Sequence, residues 1–326
     1  MSKIRTQYID VARGIAILGM LIGHAMHLLN CRIDYILDWF WSFHMPLFVI
    51  VAGMFYKKKP IKDLVWGGIK TLIIPFYIVA LLSFFLFQLL CAWNGQFSVL
   101  VFFNELFKIL TINRQIVPFG FWFVLSLFVA RIYYFLILAI SSNRLIQLSL
   151  SILLFIFGYY FVPISQSWFF CTQGLLFPMF MCVGQMIKQR ELIDKANHMG
   201  VSIFCILVLS FAPFFNIDLS IFKLPLGLFN IITASVICFA LFNICNIICG
   251  AESFLFNKLN SILQFCGRHS MVVLSFHSIV IYFQFWKVVK YIEPNLCVVM
   301  FTMATIMFAY LYVALRAFVT ERKTIH

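Results

Sequence analysis

The chain has 326 residues, of which 63% are hydrophobic and 11% charged, and its mean hydropathy is +1.02. Soluble domains hold roughly 45–50% apolar and about 25% charged residues, so a soluble enzyme and a secreted disulfide scaffold are excluded. An all-α integral membrane protein remains. The net charge of +13 is no nucleic-acid signal, because the basic residues punctuate apolar runs as membrane-flanking anchors do and form no patch with interleaved aromatics.

A membrane span needs about 20 apolar residues. In chain order, runs of that kind cover 9–29, 39–56, 69–91, 119–140, 145–163, 168–187, 200–216, 225–249, 270–286 and 296–318. A polytopic bundle of about ten transmembrane helices is expected. The first run is expected to be an uncleaved span and not a leader. Lys3 and Arg5 resemble its basic start, but Asp10 and Arg13 interrupt the apolar core that a leader requires. Pro75 and Pro213 fall inside the third and seventh runs, where neighbouring helices can satisfy the freed carbonyls.

The connections set orientation. With the N-terminus inside, fourteen basic residues flank the inner ends. Six lie outside: Arg32, Lys108, Arg114, Lys223, Lys287 and Lys290. Both termini are therefore expected on the cytoplasmic side of the cell (inner) membrane. The longest connection, 92–118, is then external, and its stretch from Val99 to Leu110 has the apolar spacing of an interfacial helix. No repeat or linker divides the chain, so residues 1–326 are expected to form a single membrane-embedded domain with no soluble extension. The ten cysteines contain no C-x-x-C and no zinc-like spacing with His, and no metal is expected.

Ionisable groups inside spans are costly and point to function. The first span carries Asp10, Arg13, His24 and His27. Eleven residues, about three turns, separate Arg13 from His24, and the two remaining groups are each one turn from one of these. All four share one stripe, with Gly14 and Gly23 close to it. The stripe should face a polar interior, with a guanidinium near the inner surface suited to phosphate and an imidazole about 16 Å farther out suited to proton transfer. A structural Asp10–Arg13 ion pair and a core histidine are the bland alternatives. Further channel candidates are His44 beside Pro46, His277 in the middle of the ninth run, and Trp122, whose default role is in an aromatic belt. Arg131 lies too deep to snorkel easily, and Lys70 opens the third run.

The run Tyr8-Ile9-Asp10-Val11-Ala12-Arg13-Gly14-Ile15-Ala16, followed by His24, resembles the opening of the integral membrane acyltransferase-3 family. Phe43-His44-Met45-Pro46-Leu47-Phe48 is similar to its second landmark, although Ala52 stands where a Ser is usual. Phe121-Trp122-Phe123 and Gly267-Arg268-His269-Ser270 leading to His277 resemble two later ones. The fucose 4-O-acetylase-like group of surface-glycan O-acetyltransferases is the nearest in pattern. The resemblance implies acyl transfer from acetyl-CoA, a co-substrate with no bound cofactor, to a hydroxyl of a cell-surface glycan or lipid-linked sugar such as an O-antigen or capsule unit. It implies His24 as catalytic base, Asp10 as a catalytic-site residue supporting Arg13, and Arg13, with Lys70, on the acyl-CoA side; the depth of Arg131 makes it a further acyl-CoA-binding candidate. Lys70 replaces an Arg often found there. A transporter or flippase for a lipid-linked sugar or anion is the alternative, distinguished by movement of substrate without consumption of acetyl-CoA. A glycan polymerase would need more external basic residues than Lys108 and Arg114.

Overall fold

A computed structural model describes residues 7–31, 33–112, 121–162, 170–196, 198–250, 254–282 and 293–323. Among these the architecture is all-helical, and the one β-type feature is an isolated antiparallel bridge between Asp218 and Lys223. Arg32, Arg114, Lys287 and Lys290 lie outside the described residues, as does the end of the run 270–286.

The helices follow the apolar runs. The first, α1, is Gln7–Leu28. Two short helices, α2 (Asp34–Trp41) and α3 (His44–Met54), make up the second run. They break at Ser42-Phe43 because Pro46 lacks the N–H that a continuous helix would direct at the Ser42 carbonyl. In α3 that proline occupies the first turn, where the N–H is unpaired in any helix. The third run begins earlier than expected: α4 (Ile61–Gly68), a π-helical turn (Ile69–Ile73) and α5 (Ile74–Trp93) form one rod, and Lys70 sits within the π turn. Pro75 follows directly, and the widened turn accommodates the hydrogen bond it cannot make. The stretch expected as interfacial is α6 (Val99–Leu110), largely exposed and held to α5 by Gln88 Nε2 donating to Glu105 Oε2 at 2.9 Å and Tyr77 Oη donating to the Leu110 carbonyl at 3.1 Å.

Then come α7 (Trp122–Ile140), α8 (Arg144–Tyr160), α9 (Cys171–Gln189), the single turn α10 (Leu192–Lys195) and α11 (Met199–Phe211), which tightens into a 3₁₀ turn at Ala212–Phe215 that holds Pro213 in its first turn. The chain closes with α12 (Phe229–Gly250), α13 (Phe254–Arg268), α14 (Ser270–Tyr282) and α15 (Pro294–Lys323). By length and composition six segments can cross a membrane: Gln7–Leu28, Asp34–Met54, Ile61–Trp93, Trp122–Ile140, Phe229–Gly250 and Pro294–Thr320. The other four expected spans are helical but shorter or, in α9, laced with Gln173, Gln185 and Lys188. The sequence did not announce α13, whose composition is too polar for a span.

Two groups of helices make the core. α1 packs against α13, α12, α15 and α3, and α9 packs against α3, α7 and α8. Two crossings are as close as backbones allow. Gly53 of α3 lies on the Met181 carbonyl of α9, and Gly184 of α9 lies on the Ile50 carbonyl of α3. Likewise Gly14 of α1 meets the Leu263 carbonyl of α13, and Gly267 meets the Asp10 carbonyl of α1. With no hydrophobic drive between helices in lipid, small residues that admit close van der Waals contact hold such crossings. All ten cysteines are free thiols.

Candidate functional site

Asp10, Arg13 and His24 of the α1 stripe are partly buried and face the bundle, whereas His27, near the helix end, is exposed. The N-terminal end of the stripe, labelled inner after the expected orientation, is organised by the α1–α13 crossing. Asp10 accepts from Arg268 Nε at 2.8 Å and lies 3.8 Å from Arg13 NH1. Arg268 also donates to Gln264 Oε1 at 2.9 Å. The Arg13 guanidinium donates through NH2 to Ser270 Oγ at 2.8 Å, at the first residue of α14. Asp10 and Ser270 thus hold Arg13 from two sides. Asp10 itself is about 21 Å along the helix from His24, so it belongs with the arginines and not with the imidazole.

At the outer end, His24 Nδ1 and His277 Nε2 are 2.8 Å apart, with ring centroids at 4.8 Å. His277 is fully buried on α14. One ring must donate and the other accept, so the pair shares a proton along this contact. His44, the first residue of α3, donates from Nδ1 to the Phe40 carbonyl at 3.0 Å, since a carbonyl can only accept. In the neutral ring this leaves its Nε2 as a lone pair.

Two adjoining cavities run past these groups. The inner one, about 280 Å³, is bounded by Arg13 and Ser270 together with apolar side chains of α3, α7 and α14, including Phe48, Phe123 and Leu274. The outer one, about 90 Å³, is bounded by His24, Trp41, Trp122, Asp218 and Ser220 among others. Met20, His44 and Met45 line both, so His44 stands at their junction. Arg13, His24, His44 and Trp122 of the expected residues are therefore brought onto one path, with His277 directly behind His24.

Lys70 and Arg131 line neither cavity. Lys70 is exposed, its ammonium 5.0 Å from the Trp66 ring centre. Arg131 is half-buried and interacts with Tyr56, whose ring packs on Tyr134 at 5.1 Å. Tyr56 Oη is buried with no hydrogen-bond partner among the described residues. Among the described residues no group of three His, Cys, Asp or Glu side chains is placed to hold a metal.

Sequence reasoning missed Trp41, Asp218 and Ser220 at the outer cavity and Ser270 as the support of Arg13. Asp218 stands in a short connection between two apolar runs, where one acidic residue carries no periodic signal. Only the return of residues 216–220 over α2, fixed by Asn216 Nδ2 donating to Asp38 Oδ1 at 2.7 Å, brings it to His24.

An apolar helical bundle with a polar path through its interior defines a membrane protein whose buried ionisable groups serve chemistry or passage. A sequence profile for an acyltransferase domain, that of the acyltransferase-3 family, matches residues 6–315. The chain belongs to this family and is a membrane acyltransferase. Neither a curated protein nor a solved structure matches it.

Proposed function

We propose that the protein is an O-acetyltransferase that takes acetyl-CoA from the cytoplasm and acetylates a hydroxyl of a cell-surface glycan or lipid-linked sugar. The observation that carries this is the pair of adjoining cavities. One begins at Arg13, the other contains His24, and about 16 Å of α1 lies between the two side chains. That separation suits a donor with a phosphate group at one end and a thioester at the other. The ten-helix count, a single membrane-embedded domain, both termini inside and an inner-membrane location belong to the same proposal, supported by the asymmetry of basic residues.

On this scheme the donor's phosphates meet Arg13, with Lys70 and Arg131 as further cationic groups on the entry side. The uncharged arm lies along the apolar wall of Phe48, Phe123 and Leu274. At the outer cavity His24 removes the proton of the acceptor hydroxyl. The oxygen attacks the thioester carbonyl, a C–O bond forms, the C–S bond breaks, and the thiolate leaves toward the cytoplasm and takes up the proton. For this His24 donates Nδ1–H to His277 Nε2, which leaves Nε2 of His24 with the lone pair.

The experiment is transfer of labelled acetyl from acetyl-CoA to a glycan acceptor by the purified protein in detergent. Arg13→Ala is expected to raise the KM for acetyl-CoA by about 10- to 100-fold, the loss of one charge-assisted contact, with little change in acceptor KM. An unchanged donor KM with a raised acceptor KM would reverse the assigned direction of the path. His277→Leu removes the acceptor for His24 Nδ1–H. It should lower kcat about 10- to 100-fold, and His277→Gln, which retains an acceptor oxygen, should recover part of the loss. Equal activity of the two variants would remove His277 from the mechanism.

A further inference from the structure

The outer cavity carries more chemistry than proton transfer needs. Its roof is the turn Ile217–Ser220, which follows the 3₁₀ turn at Ala212–Phe215 and is closed by the Asp218–Lys223 backbone pair, with N–H to carbonyl distances of 2.9 Å in both directions. Asp218 fixes the turn from within. Its Oδ1 accepts from the Ser220 backbone N–H at 2.8 Å and from the Ser220 hydroxyl. Its Oδ2 has no hydrogen bond among the described residues, and the side chain lines the cavity that contains His24. Two indoles, Trp41 at the end of α2 and Trp122 at the start of α7, line the same space.

A carboxylate that shares a cavity with two indoles is suited to a ring that is apolar on its C–H faces and carries hydroxyls at its rim. The carboxylate accepts O–H bonds, and the aromatic surfaces cover the C–H faces. Among the described residues no lysine or arginine lines this cavity, and the one full charge they place there is the Asp218 carboxylate. A second carboxylate brought against it would meet like-charge repulsion with no cation to relieve it. Selection here is against a charge, which discriminates more sharply than the gain of one extra contact.

We infer that the Ile217–Ser220 turn, through Asp218, is the acceptor-selecting element of the protein, and that it admits an uncharged pyranose ring and rejects a uronate. This rests on the assignment of the outer cavity to the acceptor, and it names the substrate class. The described helix α6 of the stretch 92–118 lines neither cavity.

The test is a pair of ligands that differ only at C6, methyl β-D-glucopyranoside and methyl β-D-glucuronide. Their binding to the full-length protein in detergent is measured by saturation-transfer NMR, without acetyl-CoA. The glucoside is expected to bind at least tenfold more tightly than the glucuronide. Asp218→Asn keeps the Oδ1 acceptor that holds the turn and removes the charge, so it should bring the two affinities to within about threefold. Trp41→Ala should weaken both ligands alike. Equal affinities in the unaltered protein, an undiminished gap in Asp218→Asn, or no binding of either glycoside would overturn the inference. Acetyl transfer is read separately in the same preparations. Glycoside selection without any acetyl transfer would defeat the catalytic reading alone, and transfer without selection would defeat this inference alone.

Discussion

His24→Ala is expected to reduce acetyl transfer by about 10²- to 10⁴-fold, the range over which a positioned general base contributes. Binding of acetyl-CoA should change little, because Arg13 and Ser270 lie in the other cavity. His24→Asn is a useful second variant, since it keeps a side-chain group toward His277 but supplies no base. The decisive comparison is with His44→Ala. His44 stands where the cavities join, and its Nδ1–H is committed to the Phe40 carbonyl at 3.0 Å. A smaller loss in that variant than in His24→Ala keeps the base at His24. A complete loss with His44→Ala beside a modest one with His24→Ala would transfer the role. Measured in detergent with labelled acetyl-CoA, the two kcat values decide it.

The second large effect is structural. A Cβ at Gly184 would overlap the Ile50 carbonyl, and one at Gly53 would overlap the Met181 carbonyl. Both obstacles are backbone, which cannot rotate aside as a side chain can. Gly184→Ala and Gly53→Ala should therefore force α3 and α9 apart at a cost of about 1–3 kcal/mol each, as overpacking does elsewhere. The two substitutions act on one crossing, so their costs should not simply add. A fall of about 1.5–4.5 °C in melting temperature is expected for each, read from the monodisperse fraction after heating in detergent. Because α3 carries His44, Met45 and Phe48, transfer activity should fall as well. Gly67 and Gly200 are the controls. Nothing lies within 4 Å of a Cβ at either, so alanine there should be neutral or mildly stabilising. Equal melting behaviour across all four variants would refute the close-crossing account.

Much of the helical layout was legible in one dimension. Apolar runs and prolines located most helices, and Val99–Leu110 was readable from apolar spacing alone. The 3.6-residue period was enough to put Asp10, Arg13 and His24 on one stripe. What the period could not supply was the partner of each group. Arg13 rests on Ser270 and His24 on His277, which lie 257 and 253 residues away in sequence. His24 and His44 share a cavity wall, while His24 hydrogen-bonds to His277 and His44 to the Phe40 carbonyl.

Helix α13 shows why a composition threshold has limits. Its polar residues fall below the standard for a span, so the sequence reads as a connection. Yet Gly267 and Gly14 let it press onto α1, and its last residue, Arg268, supplies the partner of Asp10. The sequence by itself determined the solvent for which this chain is built, the number and period of its apolar segments, and the stripe of ionisable groups in α1, because these follow from local composition and helical geometry. The tertiary structure alone decided that His277 backs His24, that Lys70 and Arg131 stand off the path, and that Asp218 lines the same cavity as His24. Those relations depend on which distant segments pack together, and glycines at two crossings let the backbones come close enough to set them.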